Sequence, residues 1–298
     1  MLLAVMWADE ALTAVVLPSW LRWLALADGR AAPGLVLMVA GVLICARAGI
    51  ELARIYHAAG LMASKRVVVF AAVTGVVAGG LSVGAPARSA GGGMQWGSGG
   101  GAALATGAVL VMVVALLIHT RYKTIKGAAG AVGAALMAFA YTGITLGFIM
   151  AMRTEFSAWV VLGVLMTAKS CDIGAYFTGR AIGRHKLIPW VSPGKTWEGL
   201  AGGMVTAGLV GMGLTMLGRS WGGLESVPNM TPLGGAMGGA LLGLAAQLGD
   251  LSASVLKRDA GMKDSGRLIP GMGGIIDVID SLVLAGPVAY WTLVWFRW

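Results

Sequence analysis

Runs of about 20 apolar residues, each long enough to cross a bilayer core as a helix, recur along this chain and leave few alternatives for its fold. They fall at roughly 7–27, 34–53, 67–85, 103–118, 129–150, 157–179, 199–217, 232–255 and 279–296. Lipid offers no water to backbone polar groups, so each run must satisfy them internally, as an α-helix does. The expected architecture is an all-α, polytopic integral membrane protein with about nine transmembrane helices. The first run is the least regular, because it holds Arg22 and Pro18, and it equally suits a re-entrant or interfacial segment. Composition agrees with a lipid environment. Hydrophobic residues make up 57% of the chain and charged residues 12%, against about 25% charged in an ordinary soluble domain. The 48 glycines suit helices that approach one another closely.

The net charge of +9 would suggest nucleic-acid binding in a soluble protein. Here the cations fall in short loops. Alternate loops on one side carry Arg54, Lys65, Arg66, Arg121, Lys123, Lys126, Arg180, Arg184, Lys186, Lys195, Lys257, Arg258, Lys263 and Arg267, fourteen in all. The other side carries five: Arg30, Arg88, Arg153, Arg219 and Arg297. The positive-inside rule places the first group in the cytoplasm, accounts for the charge, and removes the case for nucleic acid. Nine spans then put the N-terminus inside and the C-terminus outside. No Lys or Arg precedes Arg22, so the first run lacks the basic region of a cleaved signal peptide and is expected to be retained. Cys45 and Cys171 sit in apolar runs without metal-ligand spacing and read as small buried residues. The glycine-rich stretch from Ala85 to Gly101 reads as a flexible connector on the outer side.

Chemistry concentrates late in the chain. Of 13 acidic residues, eight lie at or beyond Asp172, and the 31 residues from Asp250 to Asp280 hold nine charges. Asp250 ends an apolar run, where an ionised carboxylate near the bilayer centre costs about 3 kcal/mol unless compensated. Lys257 follows two helical turns later on the same face. Asp277 and Asp280, three apart, share one helix face. Asp250, Asp277 and Asp280 are hard oxygen ligands of the kind Mg²⁺ prefers; the alternative is an interfacial salt network with Lys257, Arg258 and Lys263. The segment from Lys263 through Asp264, Ser265, Gly273 and Gly274 mixes cations, a hydroxyl and glycines that expose backbone N–H groups to phosphate.

A second cluster lies upstream. Asp172 is embedded in a span with Lys169 three residues before it, an intramembrane pair that suggests function or a structural ion pair. Ser192, Lys195 and Thr196 precede a helix beginning near Glu198, and a helix N-terminus with Lys and hydroxyls attracts anions. His185 reads as a solvated loop residue, and His57 and His119 as interface residues of inner loops. An ion path through Asp172, Lys169 and Asp250 is a further possibility. A transporter would place charges in several spans, however, and the third, fourth and fifth hold none. No internal repeat supports an inverted-repeat transporter.

These two clusters resemble the phosphatidate cytidylyltransferases, or CDP-diacylglycerol synthases. The late motif stands as Ser254, Lys257-Arg258, four residues, Lys263-Asp264-Ser265-Gly266, then Pro270, Gly273-Gly274, Asp277 and Asp280. The upstream motif stands as Asp172, Ala175-Tyr176, Gly179 and then Ser192-Pro193-Gly194-Lys195-Thr196-Trp197-Glu198-Gly199. The likeness is detailed over about 155–298. Two positions depart: Met272 stands for the family His and Val278 for the family Arg, each removing a polar group suited to phosphate or carboxylate. Glu51, closing an early span, is the main point of likeness further upstream.

The resemblance implies transfer from CTP to phosphatidate, giving CDP-diacylglycerol and pyrophosphate, with Mg²⁺ and room for a second monovalent or divalent cation. It implies Asp250 and Asp277 as metal ligands, with Asp280, Lys257, Lys263 and Asp264 completing the catalytic group. Substrate phosphates and nucleotide fall to Ser192, Lys195, Thr196, Glu198, Asp172, Arg258, Ser265, Gly273 and Gly274. Residues 1–156 are then a helical scaffold and 157–298 the catalytic region, in a bacterial-type inner membrane with the site facing the cytoplasm. Membrane lipids surround it, and resemblance alone implies a homodimer. The two departures leave room for a weakened relative or one acting on another lipid phosphate.

Overall fold

The computed structural model describes residues 2–16, 31, 33–82, 87–88, 94–95, 100–222, 227–266, 268, 271 and 273–297. Its helices are α1 (Leu2–Thr13), α2 (Leu35–Ala58), α3 (Lys65–Ser82), α4 (Gly100–His119), α5 (Ala128–Ala138), α6 (Thr145–Glu155), α7 (Ala158–Ile182), α8 (Trp197–Ser220), α9 (Pro232–Asp259) and α10 (Ile275–Arg297). A π-helical turn, Phe139–Ile144, joins α5 to α6 into one rod from Ala128 to Glu155. Among the described residues, eight helices are long and apolar enough to cross a membrane. The protein is an all-α, multi-pass membrane protein.

Those eight match the later eight apolar runs. The first run does not form a single helix. Helix α1 ends at Thr13, Ala31 N–H donates to the Val15 carbonyl, and 17–27 lie outside the described residues. Asp9 explains why α1 stays where it is. Its carboxylate accepts from the N–H groups of Gly34, Val36 and Leu37 at the start of α2 and from Arg153 Nε at 2.7 Å. Twelve residues span about 18 Å, against a hydrocarbon core of about 30 Å. Helix α1 therefore stays toward the end of the bundle that holds Arg153.

The helix starts follow local chemistry. Ser157, Thr196 and Thr231 each turn a side-chain oxygen to an N–H in the first turn of α7, α8 and α9, with Pro232 opening α9. Glycines set the interhelical distances near the site. A Cβ at Gly203 would lie 2.8 Å from the Cys171 carbonyl oxygen, and one at Gly249 would lie 2.5 Å from that of Asp280. Helices α7, α8, α9 and α10 therefore meet backbone to backbone. Cys45 and Cys171 are both free and buried, as expected.

At the basic end a hairpin departs from the helical pattern. Strand β3 (Lys186–Ile188) pairs antiparallel with β4 (Ser192–Thr196), and together they bridge α7 to α8. Of the 85–101 connector, β1 (Ala87–Arg88) pairs with β2 (Met94–Gln95), and Gly100 and Gly101 open α4. The rest lies outside the described residues.

Candidate active site

The charged residues singled out in the sequence gather at the basic end of α7, α9 and α10, in two adjoining groups. The first joins α7, α9, α10 and the hairpin. Lys195 on β4 sets its Nζ 2.7 Å from Asp250 Oδ2 and 3.4 Å from the Gln247 carbonyl. Gln247, one turn before Asp250 on α9, donates its amide to Asp172 Oδ1 at 3.2 Å. Asp172 Oδ2 lies 3.6 Å from Lys169 Nζ, and Lys169 donates to Ser281 Oγ on α10 at 2.6 Å. Asp280, buried beside Ser281, accepts from the Ser281 N–H at 2.6 Å. The close approach at Gly249 brings Asp250 next to it.

The second group builds the start of α10. Asp277 Oδ1 accepts from Lys257 Nζ at 2.6 Å, both side chains being about nine-tenths buried. Asp277 Oδ2 accepts from the N–H groups of Ser265 and Gly274, each at 2.8 Å. Glu51 on α2 accepts from the N–H groups of Ile275 and Ile276 at 3.0 Å. The Ser265 hydroxyl lies 2.9 Å from both carboxylates and has one proton to donate. Two carboxylates thus take up the free N–H groups of one helix start, where the helix dipole favours negative charge. The glycines of the motif follow from this packing. A Cβ on Gly274 would sit 2.3 Å from both Glu51 Oε2 and Ser265 Oγ, and Gly273 has φ +89° with Asp277 Oδ2 2.5 Å from its would-be Cβ.

The other expected site residues flank these groups. Thr196 caps α8 through Gly199 N–H. Glu198 accepts from the backbone N–H groups of Arg184 and His185 and lies 2.6 Å from His185 Nδ1, so it fixes the α7–β3 turn. His185 has an exposed ring, as expected, but the ring has this partner. Arg258 Nε donates to the Val191 carbonyl at 3.2 Å, tying α9 to the hairpin. Ser192 is half-buried on β4; Lys263 and Asp264 are exposed on the loop after α9. Arg267, Pro270 and Met272 lie outside the described residues. His57 and His119 meet the loop carbonyls of Ala63 and Lys126.

Asp250 and Asp277, paired in the sequence reading, occupy different groups: Asp250 faces Lys195, and Asp277 faces Lys257. Three residues gain a place that the late motifs did not give them. Glu51 holds α10, Gln247 links two acids, and Tyr141, on the π-helical turn, sets its hydroxyl 3.0 Å from Ser252 Oγ on α9. π-Helical turns often mark functional positions. Only Glu51, an acid near the end of an apolar run, carried a sequence signal.

Comparison with known proteins follows the same residues. The profile of the cytidylyltransferase family matches residues 12–296. A phosphatidate cytidylyltransferase of Brucella melitensis is 37% identical over 195 residues, 63% of this chain and 65% of that protein. One of Haemophilus influenzae is 44% identical over 133 residues, 43% of each chain. The uncharacterized YnbB of Escherichia coli is 41% identical over 137 residues, 45% of this chain and 42% of that one. The chain thus aligns with less than two thirds of the length of these curated relatives.

Proposed function

Since the chain belongs to the cytidylyltransferase family, we propose that it joins CTP to phosphatidate, giving CDP-diacylglycerol and pyrophosphate for phospholipid synthesis. The observation that carries this reading is the convergence of Lys195, Lys169, Lys257 and the acids Asp172, Asp250, Asp277 and Asp280 at the basic end of membrane-spanning helices. A lipid phosphate and a water-borne nucleotide can meet only at such a boundary. We read that end as cytoplasmic, in a bacterial inner membrane, from the basic loops.

The chemistry asks for charge neutralisation before anything else, because a phosphomonoester must approach a triphosphate. Lys195 and Lys257 are each held by one carboxylate oxygen and are placed to turn toward phosphate oxygens. Arg258 and Lys263 extend the positive surface on the nucleotide side, with half-buried Ser192 and Gly273 beside them, while buried Thr196 and Gly274 act through the α8 cap and the start of α10. A phosphate oxygen of the lipid attacks the α-phosphorus of CTP. The new P–O bond forms as the bond to the β-phosphate oxygen breaks, and pyrophosphate leaves with that electron pair. No side chain acts as nucleophile.

The donor set fits Mg²⁺. Asp250 and Asp277 each present one oxygen to an ammonium, at 2.7 and 2.6 Å, so both are already oriented toward a cation. The three donors on Asp277 Oδ2 hold that orientation as outer-shell partners do. The first group also sets three carboxylates against two ammoniums, leaving negative charge to be offset. Among the described residues no three acidic, His or Cys side chains form a cage, which suits an ion bound by one or two carboxylates and completed by substrate phosphates. When bound, Mg²⁺ supplies Lewis-acid stabilisation of charge on the transferring phosphorus.

The test is direct. Purified protein with Mg²⁺, phosphatidate and CTP labelled at the α-phosphate should place label in a lipid product with equimolar pyrophosphate. A polyprenyl phosphate in the same assay separates the retargeted reading, which Val278 in place of the family Arg motivates. Label in no lipid at all would remove the proposal.

A further inference from the structure

We infer that the cavity enclosed by α7, α8, α9 and α10 holds one acyl chain of the lipid phosphate, an inference that rests on the function just proposed. The cavity has a volume of about 380 Å³ and is lined by, among others, Gly163, Thr167, Leu214, Gly239 and Leu242. All four helices are membrane-spanning, so most of its wall lies at hydrocarbon depth, with Trp221 and Met230 lining the end away from Lys195.

Three observations select the occupant. The first is position. Thr167 is five residues from Asp172 and Leu242 eight from Asp250, placing the near edge about 8 to 12 Å from those carboxylates along the helix axes. Trp159 and Gly235, at the far edge, lie thirteen and fifteen residues away, or about 20 to 22 Å. The tails of one leaflet fill about 15 Å, half of a hydrocarbon core of about 30 Å. A lipid whose phosphate sits at Lys195 and Lys169 therefore sends its tail past the near edge and into the cavity. The second is charge. The headgroup end of that path carries ammoniums and the cavity carries no ionisable side chain, which is the polarity of a lipid phosphate. The third is the chemistry of the wall. Its three threonine hydroxyls are already spent: Thr167 donates to the Gly163 carbonyl, Thr215 to Gly211 and Thr292 to Val288. Apart from the indole N–H groups of Trp159 and Trp221 at its far rim, the wall has no free side-chain donor, so it gives little hold to water or a polar ligand and suits hydrocarbon.

Gly163 makes much of this room. A Cβ there would meet only Leu214 Cδ1, at 3.7 Å, so a larger side chain enters the cavity without striking backbone. Chain length becomes the readout. A dioctanoyl tail has half the length of a dipalmitoyl tail and ends near the cavity mouth. Gly163→Leu should lower transfer to dipalmitoyl phosphatidate by about tenfold or more while changing the dioctanoyl rate less than about twofold. Leu214→Ala, which enlarges the cavity, should move preference toward longer chains. Gly213→Leu, where a Cβ meets nothing within 4 Å and which does not line the cavity, should leave the profile as in the unaltered protein.

Retention of dipalmitoyl phosphatidate, read by native mass spectrometry, supplies a measure independent of catalysis. An unchanged chain-length profile together with unchanged lipid retention in Gly163→Leu overturns the inference. Loss of retention in that variant supports the cavity even if the unaltered protein makes no product, an outcome that would sink the proposed reaction instead.

Discussion

The bundle carries charge at both ends, and the two ends treat it differently. At one end Arg153 bonds Asp9 and Glu10 at 2.7 and 2.8 Å, with the Arg153 and Asp9 side chains 6% and 1% exposed. Asp9 also takes three backbone N–H groups, so little of its acceptor capacity is left. At the basic end Lys195 and Asp250 are 18% and 28% exposed, and Lys169 and Asp172 42% and 36%. There three carboxylates share two ammoniums, and among the described residues Asp280 accepts only from its neighbour's N–H. A saturated buried network holds a fold together. A half-satisfied, partly exposed one keeps its capacity for a ligand.

Substitutions at the two ends should therefore fail in different ways. Asp250→Asn is expected to cost the most, about a thousandfold in transfer rate or ~4 kcal/mol, with little change in thermal midpoint. Arg153→Ala should do the reverse. Leaving Asp9 buried without its cation costs ~3 kcal/mol or more in stability, while turnover per folded molecule stays near that of the unaltered protein; a denaturation midpoint beside an activity assay checks both. Gly274→Ala tests the seam between structure and function, because the added Cβ would strike Glu51 and Ser265. A loss of ~2 kcal/mol with a parallel fall in transfer is expected, and Gly274→Ala with native stability would contradict the packing account. Asp259→Ala, exposed at the end of α9, should shift stability by less than ~0.5 kcal/mol and leave transfer unchanged.

Short-range features of this arrangement were legible in the sequence, and long-range ones were not. Lys169 and Asp172 pair across three residues, and Thr196 caps the helix it precedes; both follow from helix periodicity and capping chemistry. The eight spans were set by apolar length. Glu51 was visible only as an acid near the end of an apolar run, because the Ser265 it meets lies 214 residues away. The role of α1 was hidden for the same reason. Asp9 meets Arg153 from 144 residues away, and a hydropathy pattern alone reads the segment as the start of a span. The separation of Asp250 from Asp277 by their own lysines was likewise invisible, since shared residue type says nothing about which cation each acid faces.

We propose that acids and cations from distant stretches of the chain handle phosphate together at the basic end. Transfer of label from CTP into lipid, followed over a Mg²⁺ titration for the unaltered protein and for Asp277→Ala, tests it most directly. Saturable, Mg²⁺-dependent transfer is expected of the unaltered protein, and its loss at every concentration in the variant. Equal transfer by both proteins would contradict it.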